Sequence, residues 1–224
     1  FLGRFEYFGP AISFSKEVSK VCNICVNTIY FCSDNKELLQ KLFVKVRRCY
    51  ESIGMKSVYD LFLIHDYEQD EINGMIDKRD GISACDSVIR HIENYFYFEA
   101  ETNSAWEPHM GVLKKLLIEK YSDKIRMLYC SEEAGCGVFQ TNDIDGIFFN
   151  DKFRLSYGHD DEHEVEYFES FHRMVQYIRS YLCCKVSELD DLNTIEQKII
   201  EAHDMDYPNY YCNINRFEYE GSAE

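Results

Sequence analysis

Four carboxylate and imidazole side chains in the sequence have the chemistry of a divalent-metal site. They are Glu132, Glu133, Asp143 and His159, and a metal held by such ligands can activate water for hydrolysis. The chain has no His-Glu-x-x-His motif, no phosphate-binding glycine loop and no nucleophile elbow. Because acidic side chains usually face solvent, a metal-dependent enzyme of the hydrolase or nuclease type is kept as the alternative, and no cofactor is predicted.

Cysteines are the second group of candidate ligands. Cys22 and Cys25 have the spacing of half a zinc site, but no second Cys-x-x-Cys follows. On a strand the two side chains would also point to opposite faces. The ten cysteines of a chain long enough to bury a sizeable core are therefore expected to be free thiols in a reducing compartment.

Negative charge is concentrated in the last third of the chain. Residues 1–159 hold 24 acidic and 19 basic residues, whereas residues 160–224 hold 16 and 5. The net charge of −16 disfavours phosphate backbones, whose binding depends on Lys and Arg, and anionic membranes. We therefore expect neither nucleic acid nor a membrane as a direct ligand, but a protein with a basic surface.

Candidate contacts with such a partner are carboxylates and tyrosines of this region. Exposed carboxylates can steer a basic partner, and tyrosine is enriched at protein interfaces. The candidates are Asp160, Asp161, Glu162, Glu164, Tyr207, Tyr210 and Tyr211. Two alternatives stay open: the carboxylates could be solvated helix faces, and the tyrosines could belong to a tail that folds back onto the main domain.

Hydrophobic periodicity predicts the elements that would position these residues. Strands are predicted over 21–32, 95–101 and 125–130. Helices are predicted over 38–50, 82–92, 168–184 and 189–205, and from Pro108 onward. Residues 58–65 fit a strand or a short helix, and Asp145-Gly146 between two apolar runs is typical of a hairpin turn.

These elements indicate an α+β fold with an antiparallel sheet and a helical C-terminal region. The predicted divisions are an N-terminal extension over 1–21, an α+β domain over 22–158, and an acidic helical region over 159–224 packed on or beside it. Trp106 is expected in the core, where it would pin the helix after Pro108 to the sheet.

Three segments resemble the YubB-type ferredoxin-like family of plasmid and phage proteins. They are Glu101-Thr102-Asn103-Ser104-Ala105-Trp106-Glu107-Pro108, Ser131-Glu132-Glu133-Ala134-Gly135-Cys136-Gly137 and Asn27-Thr28-Ile29-Tyr30-Phe31. The resemblance covers roughly residues 22–157, with an insertion between Thr102 and Ala105. It implies a ferredoxin-like split βαβ core without an iron–sulfur cluster, and an origin on a mobile genetic element. It supplies no catalytic residues.

The sequence thus predicts a non-enzymatic acidic interaction protein of a mobile genetic element. An array of carboxylates can compete for a basic groove because it imitates the charge pattern of phosphates. An anti-CRISPR-like inhibitor of a nucleic-acid-handling host or defence protein is one concrete form. A cytoplasmic location is expected, because residues 1–10 lack the apolar core of a signal peptide and no run of about 18 apolar residues occurs.

Overall fold

A computed structural model describes residues 24–52, 54, 56–73, 76, 80–106, 108–159 and 162–220 of the chain. Its strands are β1 (Ile24–Ser33), β2 (Gly81–Cys85), β3 (Arg90–Ile92), β4 (Tyr95–Ala105), β5 (Arg126–Glu133), β6 (Val138–Thr141), β7 (Phe153–His159), β8 (Glu162–Phe168), β9 (Tyr211–Arg216) and β10 (Glu218–Tyr219). Its helices are α1 (Lys36–Glu51), α2 (Val58–Leu63), α3 (Gln69–Ile72), α4 (Met110–Tyr121), α5 (Phe171–Ser180) and α6 (Leu192–His203). None of these helices is long and apolar enough to cross a membrane.

The larger sheet is centred on β1, which pairs antiparallel with β4 on one side and β5 on the other. The strand order is β10-β6-β5-β1-β4-β2, and β3 also pairs with β4. Every pairing in this sheet is antiparallel except that of β10 with β6. The β-branched and aromatic residues of β1 suit a central strand. The predicted α+β class with a mainly antiparallel sheet is therefore confirmed.

One face of the larger sheet packs against α1 and α4. Apolar residues recur along both helices at helical spacing, so each helix presents an apolar stripe to the sheet. The buried side chains include Leu39, Leu42 and Val46 of α1, Leu113, Leu116 and Leu117 of α4, and Ile29, Phe31 and Phe98 of the sheet. This packing forms the first hydrophobic core.

Asn27 links the three central strands inside the larger sheet. Its side chain is fully buried, and Nδ2 donates to Thr102 O at 3.2 Å and to Ser104 Oγ at 3.0 Å on β4. Its Oδ1 accepts a hydrogen bond from Ser131 Oγ on β5 at 2.7 Å. Because a buried amide is costly unless its polar atoms are paired, this network favours one register of β4, β1 and β5.

A smaller antiparallel sheet has the order β8-β7-β9. One of its faces packs against α5 and α6 in a second hydrophobic core that includes Leu155, Met174, Val175, Ile178 and Ile195. From β7, Arg154 reaches the larger sheet, where its Nε lies 3.3 Å from Glu132 Oε2. The two sheets are thus in contact through side chains of β7 and β5.

Several predicted elements differ from the structure. Residues 82–92, predicted as a helix, contain most of β2 and all of β3, which pair with β4. Residues 58–65 adopt the helical alternative, because Ser57 and Asp60 form a capping box at the start of α2. The region 159–224 was predicted to be helical but also contains β8, β9 and β10. The predicted boundary between 158 and 159 lies inside β7. Where strands replace predicted helices, pairing with a distant segment outweighs local periodicity.

The predicted core position of Trp106 is wrong, because its side chain is 52% exposed. Trp106 directly follows β4 and has a φ of 72°, in the left-handed region that bulky residues rarely adopt. The core contacts expected of it are made instead by Met110 and Leu113 of α4. Trp106 is therefore a surface residue at the junction of β4 and α4.

The exposure of Trp106, the one tryptophan of the chain, predicts that acrylamide quenches the native protein's tryptophan fluorescence efficiently. Trp106→Ala should change the free energy of unfolding by less than about 1 kcal/mol, as is usual for substitutions outside the core. Quenching and urea unfolding measure the two effects. A blue-shifted emission protected from acrylamide, together with a loss of several kcal/mol of unfolding free energy in Trp106→Ala, would show that Trp106 lies in the core.

Candidate interaction surface

Alternate residues of β8 present a row of three glutamates. Glu162, Glu164 and Glu166 pair in register with His159, Tyr157 and Leu155 of β7, so they share the face of the smaller sheet that packs against α5. The approach of β8 to β7 depends on Gly158, which has a φ of 153°. A Cβ on Gly158 would lie 1.9 Å from Glu162 O, so a larger residue would push the first glutamate away.

Tyrosine hydroxyls contact the second and third glutamates of this row. Tyr157 Oη donates to Glu164 Oε2 at 2.5 Å and lies 2.8 Å from Tyr177 Oη, while Glu166 has a hydrogen bond with Tyr177. Burial, and then the charge of Glu164, raises the pKa of Glu166 above its ordinary value. Within the described part of the chain, no lysine or arginine is ion-paired with either glutamate.

A stack of aromatic rings continues from these glutamates along α5. The rings of Tyr177 and Tyr181 are stacked with centroids 5.0 Å apart, and Phe168 lies 5.3 Å from Tyr177. Tyr181 is 63% exposed. Carboxylates beside tyrosine rings suit a basic side chain, because the ring faces attract cations as well.

Histidine and tyrosine pairs surround the start of β8. His159 stacks on Tyr207 with ring centroids 4.6 Å apart, and its Nε2 lies 3.3 Å from Glu162 Oε2. His163 Nδ1 is hydrogen-bonded to Tyr211 Oη. Burial, and then the charge of Arg154, lowers the pKa of His163. These pairs close one end of the smaller sheet with aromatic surface.

The described partner-binding residues that were predicted lie on or next to the smaller sheet, but Tyr211 pairs with Gly158 and therefore lies on the face opposite to Glu162 and Glu164. Glu162 and Glu164 lie on β8 and Tyr211 begins β9, while Tyr207 and Tyr210 come just before β9. Tyr210 stacks on His203 with centroids 4.8 Å apart. The predicted Asp160 and Asp161 lie outside the described residues. We define the β8 surface as Glu162, Glu164, Glu166, Tyr177, Tyr181 and Tyr207.

The four residues of the predicted metal site are dispersed. Glu132 accepts a hydrogen bond from Tyr167 Oη at 2.9 Å between the two sheets, and burial raises its pKa. Glu133 follows it on β5, so the two side chains point to opposite faces, and Glu133 accepts from the backbone N–H of Cys136. His159 lies on the smaller sheet, and Asp143 in the loop after β6. The described residues include no group of three or more His, Cys, Asp or Glu that could hold a metal ion.

Asp143 organises the loop after β6. Its buried carboxylate accepts hydrogen bonds from the backbone N–H groups of Ile147, Phe148 and Phe149 at 3.0, 2.7 and 2.9 Å. This places the Phe148 ring in a stack on Tyr30, with centroids 4.1 Å apart. The predicted hairpin at Asp145-Gly146 is wrong, because these amides bind a carboxylate instead of a partner strand.

The cysteines of the described residues are free thiols, and Cys22 lies outside that part of the chain. Cys25 is fully buried on β1, where burial raises its pKa to about 11. Cys184 Sγ lies 3.6 Å from His203 Nε2, but burial also raises the pKa of this thiol. A raised pKa disfavours the thiolate that metal binding and nucleophilic attack require.

Sequence reasoning missed an aspartate–histidine pair near α4. His109 Nδ1 lies 2.7 Å from Asp80 Oδ2, and the Asp80 side chain is 3% exposed. Such a pair orients an imidazole for general-base chemistry. Ser104, a candidate nucleophile lining the same small cavity, is buried and accepts a hydrogen bond from Asn27. The pair connects Asp80, just before β2, to His109, just before α4.

Glu166, Tyr177 and Tyr181 were also missed. Glutamates at 162, 164 and 166 follow the two-residue period of a strand, which was the available signal. Tyr177 and Tyr181 are four residues apart on or next to a helix and therefore lie on one side of it. Their proximity to the glutamates depends on the pairing of β8 with β7.

No family model matches the chain, and no curated protein or solved structure is significantly similar to it. The resemblance to the YubB-type family therefore stays a hypothesis, and function has to be inferred from the geometry of the β8 surface.

The contacts of Asp143 predict that Asp143→Ala destabilises the fold by about 3 kcal/mol, because three partly buried N–H groups lose a charged acceptor. Asp145→Ala is the matched control: this exposed aspartate lies in the same loop, and its loss should cost less than about 0.5 kcal/mol. Urea unfolding measures both. Equal, small effects would show that the carboxylate does not organise the loop.

The environment of Glu166 predicts a pH-dependent effect of Glu166→Gln on stability. In the unfolded chain a glutamate ionises near pH 4.5, whereas Glu166 in the fold ionises only at higher pH. Its ionisation therefore reduces stability as pH rises above about 4.5. Glu166→Gln should be more stable than the unmodified protein at pH 7, and this advantage should shrink at pH 4. Urea unfolding at both values tests this, with exposed Glu37→Gln as control, and a pH-independent difference would contradict it.

Proposed function

We propose that the protein is an acidic interaction protein that binds a basic surface of a nucleic-acid-handling protein and catalyses no reaction itself. The observation that carries the proposal is the pair Glu164 and Glu166, which has no ion pair with a described lysine or arginine and lies beside the exposed Tyr181 ring. A partner's Lys or Arg would supply the missing positive charge there. The net charge of −16 supports the same preference, because it disfavours direct contact with nucleic acid.

The proposal extends to inhibition of the partner. A row of carboxylates presents charges at regular intervals, as a phosphate backbone does, and could occupy a groove that otherwise holds nucleic acid. An anti-CRISPR-like inhibitor encoded by a mobile genetic element and acting in the cytoplasm is the concrete form that we propose. The metal-dependent alternative gains no support from the positions of Glu132, Glu133, Asp143 and His159.

A ferredoxin-like split βαβ core is part of this proposal. Without α2, α3 and β3, the chain order of the first core is β1-α1-β2-β4-α4-β5, and the sheet order is β5-β1-β4-β2. A βαββαβ chain order is typical of that motif. In this view the core is a scaffold, and the β8 surface is an addition that follows it in the sequence.

The proposal predicts that neutralising the β8 glutamates slows association with the partner. The partner would first be identified by carbodiimide cross-linking in the native host, which joins carboxylates to nearby lysines. Glu162→Gln/Glu164→Gln/Glu166→Gln should then lower the association rate constant by about tenfold at low salt, because electrostatic steering acts on the encounter. Stopped-flow measurements between about 0.05 and 0.5 M salt should show the unmodified protein slowing towards the variant, because salt shortens the Debye length.

The matched control is Asp34→Asn/Glu37→Gln, which removes exposed charges from the loop and helix that follow β1. Its association rate should stay close to that of the unmodified protein. Equal rates for all three proteins across the salt range would exclude the β8 surface as the partner's contact. A purified partner should also lose nucleic-acid binding when this protein is added, and unchanged binding would refute inhibition.

A further inference from the structure

One edge of β8 pairs with no strand of the described residues. In the smaller sheet β8 pairs with β7 alone among the described strands. Its seven residues give an edge of about 20 Å. Unpaired N–H and C=O groups on such an edge can bind an extended segment of another chain.

The glutamate row has the repeat that an added strand would have. Side chains on one face of a strand recur every second residue, about 7 Å apart. A fourth strand beside β8 would therefore place every second side chain next to Glu162, Glu164 or Glu166. Lysines or arginines at these positions would neutralise the row, and the one nearest Glu166 would reach the stacked rings of Tyr177 and Tyr181.

A second copy of this chain is a poor occupant of the same edge. Pairing β8 with another β8 would bring glutamate rows together, and like charges opposite each other destabilise a sheet. Charged residues on edge strands also serve to prevent aggregation. That role alone does not account for Tyr177 and Tyr181 beside the partly buried Glu166.

We propose that an extended, basic segment of the partner protein adds to β8 as a fourth strand, with alternate Lys or Arg side chains lying against Glu162, Glu164 and Glu166. This inference rests on the proposed function and names the mode of contact. Affinity would come from main-chain hydrogen bonds together with ion pairs. A basic segment that cannot become extended would bind through charge alone and more weakly.

Two seven-residue peptides of equal composition test the proposal. Lys-Thr-Lys-Thr-Lys-Thr-Lys matches the alternation, whereas Lys-Lys-Lys-Lys-Thr-Thr-Thr does not. Calorimetric titration of the full chain should give the alternating peptide an affinity up to about fivefold higher, since it can place three lysines beside the glutamate row whereas the clustered peptide can place two. The backbone amide resonances of β8 should shift on binding. Equal affinities would overturn strand addition.

Backbone methylation gives a second, independent readout. In one peptide the Thr amides are N-methylated, and in the other the Lys amides. Only one edge of an added strand faces β8, so one methylated peptide should lose binding by about tenfold or more while the other keeps it. If methylation affects both peptides alike, the contact is not a β-ladder. Undetectable binding of the unmethylated alternating peptide, or dimerisation of the chain through β8 in sedimentation experiments, would also overturn the proposal.

Charge variants separate this inference from the proposed function. Glu164→Gln/Glu166→Gln should lower the affinity for the alternating peptide about tenfold, whereas Asp34→Asn/Glu37→Gln should leave it unchanged. If both unmethylated peptides bind equally and both weaken in the first variant, binding through charge stands and strand addition is wrong. If the first variant binds peptides and partner as the unmodified protein does, both proposals are wrong.

Discussion

The partly buried ion pair of Arg154 with Glu132 connects the two sheets, which the chain also joins where β9 leads into β10. The exposed fraction of the Arg154 side chain is 11%, and its Nε lies 3.3 Å from Glu132 Oε2 as an ion pair that lacks the alignment of a hydrogen bond. The guanidinium also lies 5.5 Å from the Phe139 ring, and Tyr167 donates to the same carboxylate. Buried ion pairs add little net stability but penalise other arrangements strongly. This contact therefore favours one placement of the smaller sheet against the larger one. Because side chains alternate along β7, Leu155 and Tyr157 then point to the other face, into the second core.

The sequence was most informative where local pattern and tertiary environment agree. β1, β4 and β5 are rich in β-branched and aromatic residues and lie in the centre of the larger sheet, while α1 and α4 show clear apolar stripes. Residues 82–92 also have a helical distribution of apolar side chains, yet they flank β4 and complete the sheet as β2 and β3. A short stretch of sequence contains no information about pairing with a strand that is distant in the chain. Segments that are held in a sheet by such pairing are therefore the ones that periodicity assigns wrongly.

The candidate surface was predicted in part for a related reason. The excess of acidic residues after residue 159 identified Glu162 and Glu164, and the aromatic run identified Tyr207, while Tyr211 of the same run lies on the opposite face of the smaller sheet. Glu166 was overlooked because the region was interpreted as helical, and a helix would place Glu164 on the side opposite to Glu162 and Glu166. Carboxylates assigned to a metal turned out to have structural roles, as in Asp143, which binds three backbone amides. From the sequence alone, a carboxylate that binds a metal ion cannot be told from one that accepts hydrogen bonds from the backbone N–H groups of its own loop.

Repulsion between the glutamates of the β8 surface lowers the stability of the free protein. Glu166 is partly buried and repelled by Glu164, and a neutral side chain at either position would relieve this without loss of packing. Proteins commonly keep such unfavourable arrangements where function needs them. The tyrosine hydroxyls of Tyr157 and Tyr177 reduce the cost but leave the charge in place. A bound cation would offset the repulsion between Glu164 and Glu166 and would also contact the ring faces of Tyr177 and Tyr181. The features that weaken the free protein would therefore strengthen its complex with a basic partner.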